Sequence, residues 1–312
     1  MKKILALALS LTLALSLCAC GGDTTGDTAE NTDAQQIETD VVEIPEVEDL
    51  TSTDTSTIPG VEDGVLTVGM ECAYAPYNWT QSDDSNGAVE IRGSSDYAYG
   101  YDVMMAKKIG EALGQKVQIV KLDWDSLIPA VMSGDVDCVI AGQSITAERA
   151  AQVDFSNPYY YASIVTLTKK DSAYANAASV ADLAGATATS QLGTIWYDTC
   201  LPQIENANIL PAQETAPAML VALNSGACDI VVTDRPTAQA ALVAYPDFTL
   251  LDFGGGDGDF QVSEEDINIG ISMKKGNTAL QSAINEVLST MTADDYNAMM
   301  DEAISVQPLS DN

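Results

Sequence analysis

Apolar and polar positions along this chain follow two alternating rhythms. Short apolar runs of strand type occur at Val65 to Met70, Lys116 to Leu122, Val136 to Ala141, Ala186 to Ser190 and Cys228 to Val232. Between them, apolar residues recur at helical spacing. In Tyr101 to Leu113, for example, Val103, Met104, Ala106, Ile109 and Leu113 share one face. Asp102 is placed to cap that helix, and Asp123 or Asp125 to cap the next, which stops at Ser133-Gly134-Asp135. Thr146, Thr215 and Thr292 are placed to open three more, and Ser179 a short one. Pro76 to Ala98, with Ser-Asp-Asp-Ser-Asn-Gly inside it, reads as a hairpin excursion. Ser163 to Lys169, Phe248 to Leu251 and Asn268 to Met273 read as extended, and helices over Gly276 to Met291 and Ala293 to Ile304 close the chain. Alternating strand and helix predicts βαβ units, mainly parallel sheets and an α/β fold. The order suggests one lobe interrupted by another: residues 62–160 with 269–308, and 161–268. Two extended crossings, near Tyr160–Ser163 and Asp266–Gly270, would form a hinge.

The first sixty residues break the rhythm. Lys2-Lys3 precede an apolar run from Ile4 to Leu17, of signal-peptide length and too short for a stable transmembrane span. The run ends in Leu17-Cys18-Ala19-Cys20-Gly21, which resembles a bacterial lipobox. That resemblance implies a signal peptide over residues 1–19 and a lipidated Cys20 as the first mature residue, an extracytoplasmic protein tied to the cell membrane by acyl chains. Gly21 to Gly60 carries eleven acidic residues and no Lys or Arg. Such a segment cannot bury enough surface to offset chain entropy, so residues 20–61 are expected to form a disordered tether. Forty such residues span roughly 35 Å.

Charge and composition then exclude chemistries. A formal net charge of −33 argues against nucleic acid as a partner. The 312 residues include no histidine, the commonest general base and metal ligand. A Ser-His-Asp triad is impossible, and no cofactor or metal is implied. Cys72, Cys138, Cys200 and Cys228 form no CxxC pair. Cys200, late in a helix, and Cys228, at a strand start, could lie at the same end of one sheet, and are the expected disulfide; Cys72 and Cys138 are expected to fill apolar space.

The most informative stretch runs from Trp124 to Tyr160, WDSLIPAVMSGDVDCVIAGQSITAERAAQVDFSNPYY. A helix, a tight turn and a buried strand lead to the small-residue loop Ala141-Gly142, where backbone can approach a ligand. Ser144 and the amides of the helix opened by Thr146 can receive an anion, and Arg149 can make a two-pronged contact to a carboxylate. The ordered pattern of aromatic-D-x-L-I-P, G-x-x-D, S-I-T-x-x-R and D-F-S-x-P-Y-Y resembles the extracellular solute-binding proteins, family 3, of polar amino-acid ABC transporters.

The resemblance covers nearly all of residues 62–308 and implies a two-lobed type II periplasmic-binding-protein fold. It implies a monomeric lipoprotein that captures a free amino acid between closing lobes and hands it to a membrane permease. It also assigns roles. Ser144, Arg149 and Thr194, the last in Gln191-Leu192-Gly193-Thr194, would hold the ligand carboxylate, and Asp234 the α-ammonium while capping its helix. Tyr74 would stack on the ligand, with Tyr101 as a second wall. Glu71 would approach the ligand side chain, the Gly142 carbonyl could accept from the ammonium, and Gln143 could add a polar contact. Glu71 and the aromatic walls favour lysine, arginine or ornithine; Gln143 would suit glutamine. Two other classes share the features: an enzyme resembling cyclohexadienyl dehydratase, for which no general acid can be assigned from sequence, and an amino-acid sensor lipoprotein.

Overall fold

The computed structural model describes residues 55–308. The expected signal sequence, the lipid site at Cys20 and most of the acidic tether lie outside them. Residues 55–61, read as tether from sequence, pack on the body instead. Ile58 and Val61 are buried, and Asn277 Nδ2 donates to the Pro59 carbonyl at 2.8 Å. Two apolar side chains suffice to draw this otherwise polar stretch onto the core.

The first strand, β1 (Val65–Met70), leads into an antiparallel excursion of β2 (Ala73–Tyr74), β3 (Asn78–Gln81), β4 (Val89–Glu90) and β5 (Tyr97–Tyr99). Helix α1 (Tyr101–Ala112) follows and buries Val103, Ala106 and Ile109 as its spacing requires. Next come β6 (Lys116–Lys121), α2 (Leu127–Ser133), β7 (Cys138–Val139), α3 (Ala147–Gln152) and β8 (Val153–Phe155). Neither Asp123 nor Asp125 caps α2: a 3-10 turn, Trp124–Ser126, intervenes and no side chain caps it. The apolar run expected over Val136 to Ala141 shrinks to two ladder residues. Its ends still join the sheet, Asp137 N donating to Thr67 and Ile140 N to Gly69.

The chain crosses at β9 (Tyr160–Tyr161) and builds β10 (Ile164–Lys169), β11 (Thr187–Thr189), β12 (Asn208–Ile209), α4 (Ala216–Ser225), β13 (Ile230–Asp234), α5 (Arg235–Ala244) and β14 (Phe248–Leu251). A short α6 (Glu264–Ile267) precedes the return crossing, β15 (Asn268–Ile269), then β16 (Ser272–Lys274), α7 (Thr278–Ser289) and α8 (Ala293–Val306).

Two five-stranded sheets result, ordered β6-β1-β7-β16-β8 and β12-β11-β13-β10-β14. In the first, β1 runs parallel to β6 and β7, and in the second β11 runs parallel to β12 and β13. The strands that begin directly after each crossing, β10 and β16, run antiparallel to their neighbours. The crossings pair with each other, Asn268 opposite Tyr161 and Ile269 opposite Tyr160. This is a two-lobed α/β architecture, one sheet to each lobe. No helix among the described residues is long and apolar enough to cross a membrane.

The disulfide expected between Cys200 and Cys228 does not form; both are free and buried. Their surroundings explain it. The Cys200 thiol feels the charges of Asp266 and Asp259, the Cys228 thiol those of Asp229 and Lys169. Cys200 ends the helical turn Trp196–Cys200 and Cys228 precedes β13, so the two stand on separate elements, and burial pushes each thiol up to about 12.

Candidate functional site

Loops at the C-terminal ends of the parallel strands of both sheets meet at one seam, where α/β sheets place ligands. The loop after β1 carries Glu71 to Tyr74. Cys72 takes a φ of 52°, held by its amide donating to Asn78 Oδ1 at 2.7 Å. That turn swings Tyr74 across the seam, where its hydroxyl donates to Asp234 Oδ2 at 2.6 Å. The loop after β7 carries Gly142, with a φ of 63°. A Cβ on Gly142 would come within 2.6 Å of Tyr74 Cε1, so only glycine lets the ring lie this close to the backbone.

Thr146 caps α3 by accepting from the Arg149 amide. The guanidinium of Arg149 then spans the seam. Nη1 donates to the Ser144 carbonyl at 2.9 Å and Nη2 to the Gly193 carbonyl at 3.0 Å. Its Cζ lies 5.2 Å from the Trp124 ring centroid, within cation–π range. Among the described residues no carboxylate lies within 4.0 Å of it, and burial lowers its pKa. A half-buried cation whose fork is held by carbonyls is a ready partner for an anion.

From the second sheet, Thr194 Oγ1 donates to the Gln191 carbonyl at 2.7 Å, fixing the turn. Asp234 is buried at the start of α5 and accepts from Thr237 N and Thr237 Oγ1, both at 2.9 Å. Burial raises its pKa against those bonds and the one from Tyr74. Gln191 Nε2 reaches Glu71 across the seam at 3.3 Å. Burial, with Asp123 and Asp125 nearby, pushes Glu71 up to about 7.

These groups surround a small, partly open space. Arg149, Ser144 and Gly142 bound one side, Gln191 and Thr194 another, and Tyr74, Trp124, Ile195 and Trp196 form apolar walls. Its volume is about 10 Å³. Two larger, more open cavities flank it. One of about 450 Å³ is lined by Glu71, Asp123, Asp125 and Glu214; the other, about 580 Å³, by Arg149, Gln143, Gly193 and Asp266. The Trp124 indole borders all three.

The structure therefore gathers Tyr74, Gly142, Ser144, Arg149 and Thr194 around one space, with Asp234 reached through Tyr74 and Glu71 in the adjoining cavity. It does not bring Tyr101 there. That ring is buried inside the first lobe, stacked on Tyr159 at 5.7 Å, and its hydroxyl donates to the Tyr159 carbonyl. Gln143 is also turned away, its Oε1 accepting from Ser272 at 3.0 Å, though the residue borders the cavity of about 580 Å³. Asp102 does not cap α1. It is buried and accepts from Tyr159 and Asn78, and burial pushes it up to about 6. Trp124 and Trp196 are walls that sequence reasoning left without a role. The signal was present, since Trp196 follows Thr194 by two residues and Trp124 opens the D-x-L-I-P pattern. Among the described residues no cluster of three or more His, Cys, Asp or Glu could hold a metal ion.

Residues 66–304 match the family model of bacterial extracellular solute-binding proteins, family 3. The arginine-binding extracellular protein ArtP of Bacillus subtilis is 35% identical over 130 residues, 42% of this chain and 45% of ArtP, so the match spans under half of that relative. The L-cystine-binding protein TcyJ of Escherichia coli is 27% identical over 233 residues, covering 75% of this chain and 79% of TcyJ. Among solved structures, the ancestral amino acid-binding protein AncCDT-1, a precursor of cyclohexadienyl dehydratase, superposes with a TM-score of 0.63 at 30% identity, over 78% of this chain and 97% of that one. A family match from residue 66 to residue 304, most of the described body, makes this chain a member of the bacterial extracellular solute-binding proteins, family 3.

Proposed function

We propose that this protein captures a free amino acid between two closing lobes and delivers it to the permease of an ABC transporter. The observation that carries the reading is Arg149, a half-buried guanidinium fixed by carbonyls on both sides of the seam, beside Ser144 and Thr194. The ligand carboxylate would join Arg149, Ser144 and Thr194, and the α-ammonium would join Asp234 and the Gly142 carbonyl. Tyr74, Trp124 and Trp196 would enclose the side chain, which would lead toward Glu71. A cationic or polar side chain, such as that of arginine, lysine or glutamine, suits that acidic exit. ArtP and TcyJ, which bind arginine and cystine by name, support an amino acid as the ligand class.

In this reading residues 62–160 and 269–308 form one lobe and 161–268 the other, with β9 and β15 as the hinge. The ligand gains its full set of contacts only when the lobes meet, which is closure driven by differential affinity. Cys20 would carry the acyl chains that hold a monomer at the outer face of the cell membrane, at the end of the acidic tether. A thermal-shift panel of the twenty amino acids tests the reading, because a tight ligand raises the melting temperature by mass action. A panel in which none does so would end it. Glu71, pushed up to about 7 beside the seam, supports one second reading, a dehydratase using Glu71 as general acid, although AncCDT-1 is itself an amino acid-binding protein. Prephenate and arogenate turnover assays separate the two; the binding-protein reading expects no turnover.

A further inference from the structure

Asp234 is the negative pole of the seam, and three donors reach its buried carboxylate. Two come from Thr237 in its own helix. The third is the Tyr74 hydroxyl, 160 residues away in sequence and in the other lobe. All three donors are neutral, and no Lys or Arg nitrogen among the described residues lies within 4.0 Å. Tyr74 is well braced: its ring stacks on Tyr77 at 4.7 Å and an interplanar angle of 16°, and it lies against Gly142, where a Cβ would intrude to 2.6 Å. The narrow space beside it, about 10 Å³, is about the size one water needs. An amino acid is several-fold larger, so the walls of this space, Tyr74 among them, must part to admit one.

We propose that the Tyr74 hydroxyl is an internal stand-in for the ligand's ammonium, latching the lobes together through Asp234 until a cationic donor displaces it. The proposal rests on the reading of Asp234 as the ammonium partner. An ammonium outcompetes a phenol there because a hydrogen bond charged at both ends is stronger than one charged at the acceptor alone, and because it neutralises a buried charge. A ligand that offers only a hydroxyl at that position, such as a 2-hydroxy acid, gains little over Tyr74. The same contact that closes the lobes therefore sets a threshold against ligands without an α-amino group.

The test is Tyr74→Phe, which keeps the ring and its stacking on Tyr77 and removes only the donor. Small-angle scattering of the full chain without ligand is expected to show a larger radius of gyration for Y74F than for the parent. Calorimetry with L-arginine and L-glutamine as probes is expected to show about tenfold tighter binding to Y74F, the loss of one hydrogen bond to a charged group that the ligand no longer has to break. Asp234→Asn separates the two layers of the argument. If D234N leaves probe binding unchanged, the reading of Asp234 fails and the latch with it. If D234N weakens binding but Y74F neither expands the free protein nor tightens binding, Asp234 keeps its role and the latch is overturned. Should neither probe bind, scattering alone decides, and equal radii for Y74F and the parent overturn the proposal.

Discussion

Arg149 shows how a single residue's role follows from its surroundings. Its two carbonyl bonds fix the fork, and Glu148, Asp198 and Asp266 act on its charge only from beyond ion-pair distance, so a direct contact is reserved for an incoming anion. Arg149→Ala is expected to weaken amino-acid binding by roughly 2–5 kcal/mol, read by calorimetry. Glu71 makes a different kind of prediction. Its folded pKa, about 7, lies above the ordinary 4.5, so the folded chain holds the proton more tightly than the unfolded one. The stability this contributes is complete below about pH 4.5 and is lost as pH rises through 7. Asp102, at about 6, acts with the same sign. Glu71→Gln should therefore flatten the decline in melting temperature between pH 4.5 and 8, recovering roughly 3 kcal/mol at the alkaline end. At this scale Gly142, Ser144, Arg149 and Thr194 were legible because each sits at a short fixed distance from a strand end. Tyr101 was not, because its ring is aimed by Tyr159, 58 residues later. Nothing local to Tyr101 marks that contact.

Among the elements, α3 matters most for its size. It has six residues, too few to be stable without its cap and its packing. Thr146 supplies the cap through the amide of Arg149 itself, so the hydrogen bond that starts the helix also fixes the backbone from which the guanidinium projects. Thr146→Ala is expected to cost about 1 kcal/mol of stability. It should also weaken amino-acid binding severalfold, which calorimetry beside thermal melts would show. Element type was readable from apolar periodicity: α1, α4, β1, β6 and β10 lie within a few residues of their sequence assignments. Element length was less so. The strand read over Val136 to Ala141 keeps a two-residue ladder, because a strand ends where its neighbours stop offering partners, and those neighbours, β1 and β16, are remote in sequence. The free Cys200 and Cys228 carry the same lesson, since two cysteines in one lobe meet only if packing points them at each other.

For the whole molecule, charge dominates. Against a net −33, the described residues contain only two ion pairs, Arg235 with Asp252 and Lys275 with Asp154, each worth at most about 1 kcal/mol at such exposed positions. Salt therefore screens far more repulsion than attraction, and the melting temperature is expected to rise as sodium chloride goes from low ionic strength to about 0.15 M, where the Debye length is about 8 Å. A differential scanning fluorimetry series in salt checks this, and a falling melting temperature would contradict it. The seam bears on time as well as energy. If the space of about 10 Å³ between the lobes must widen before an amino acid can reach Asp234, entry is limited by the rate at which the lobes part, and the ligand's ammonium then replaces Tyr74 at the opened site. In stopped-flow recordings of Trp124 and Trp196 fluorescence, the observed association rate should climb with amino-acid concentration and then level off. The plateau would be the same for every amino acid, because it belongs to the protein's own opening.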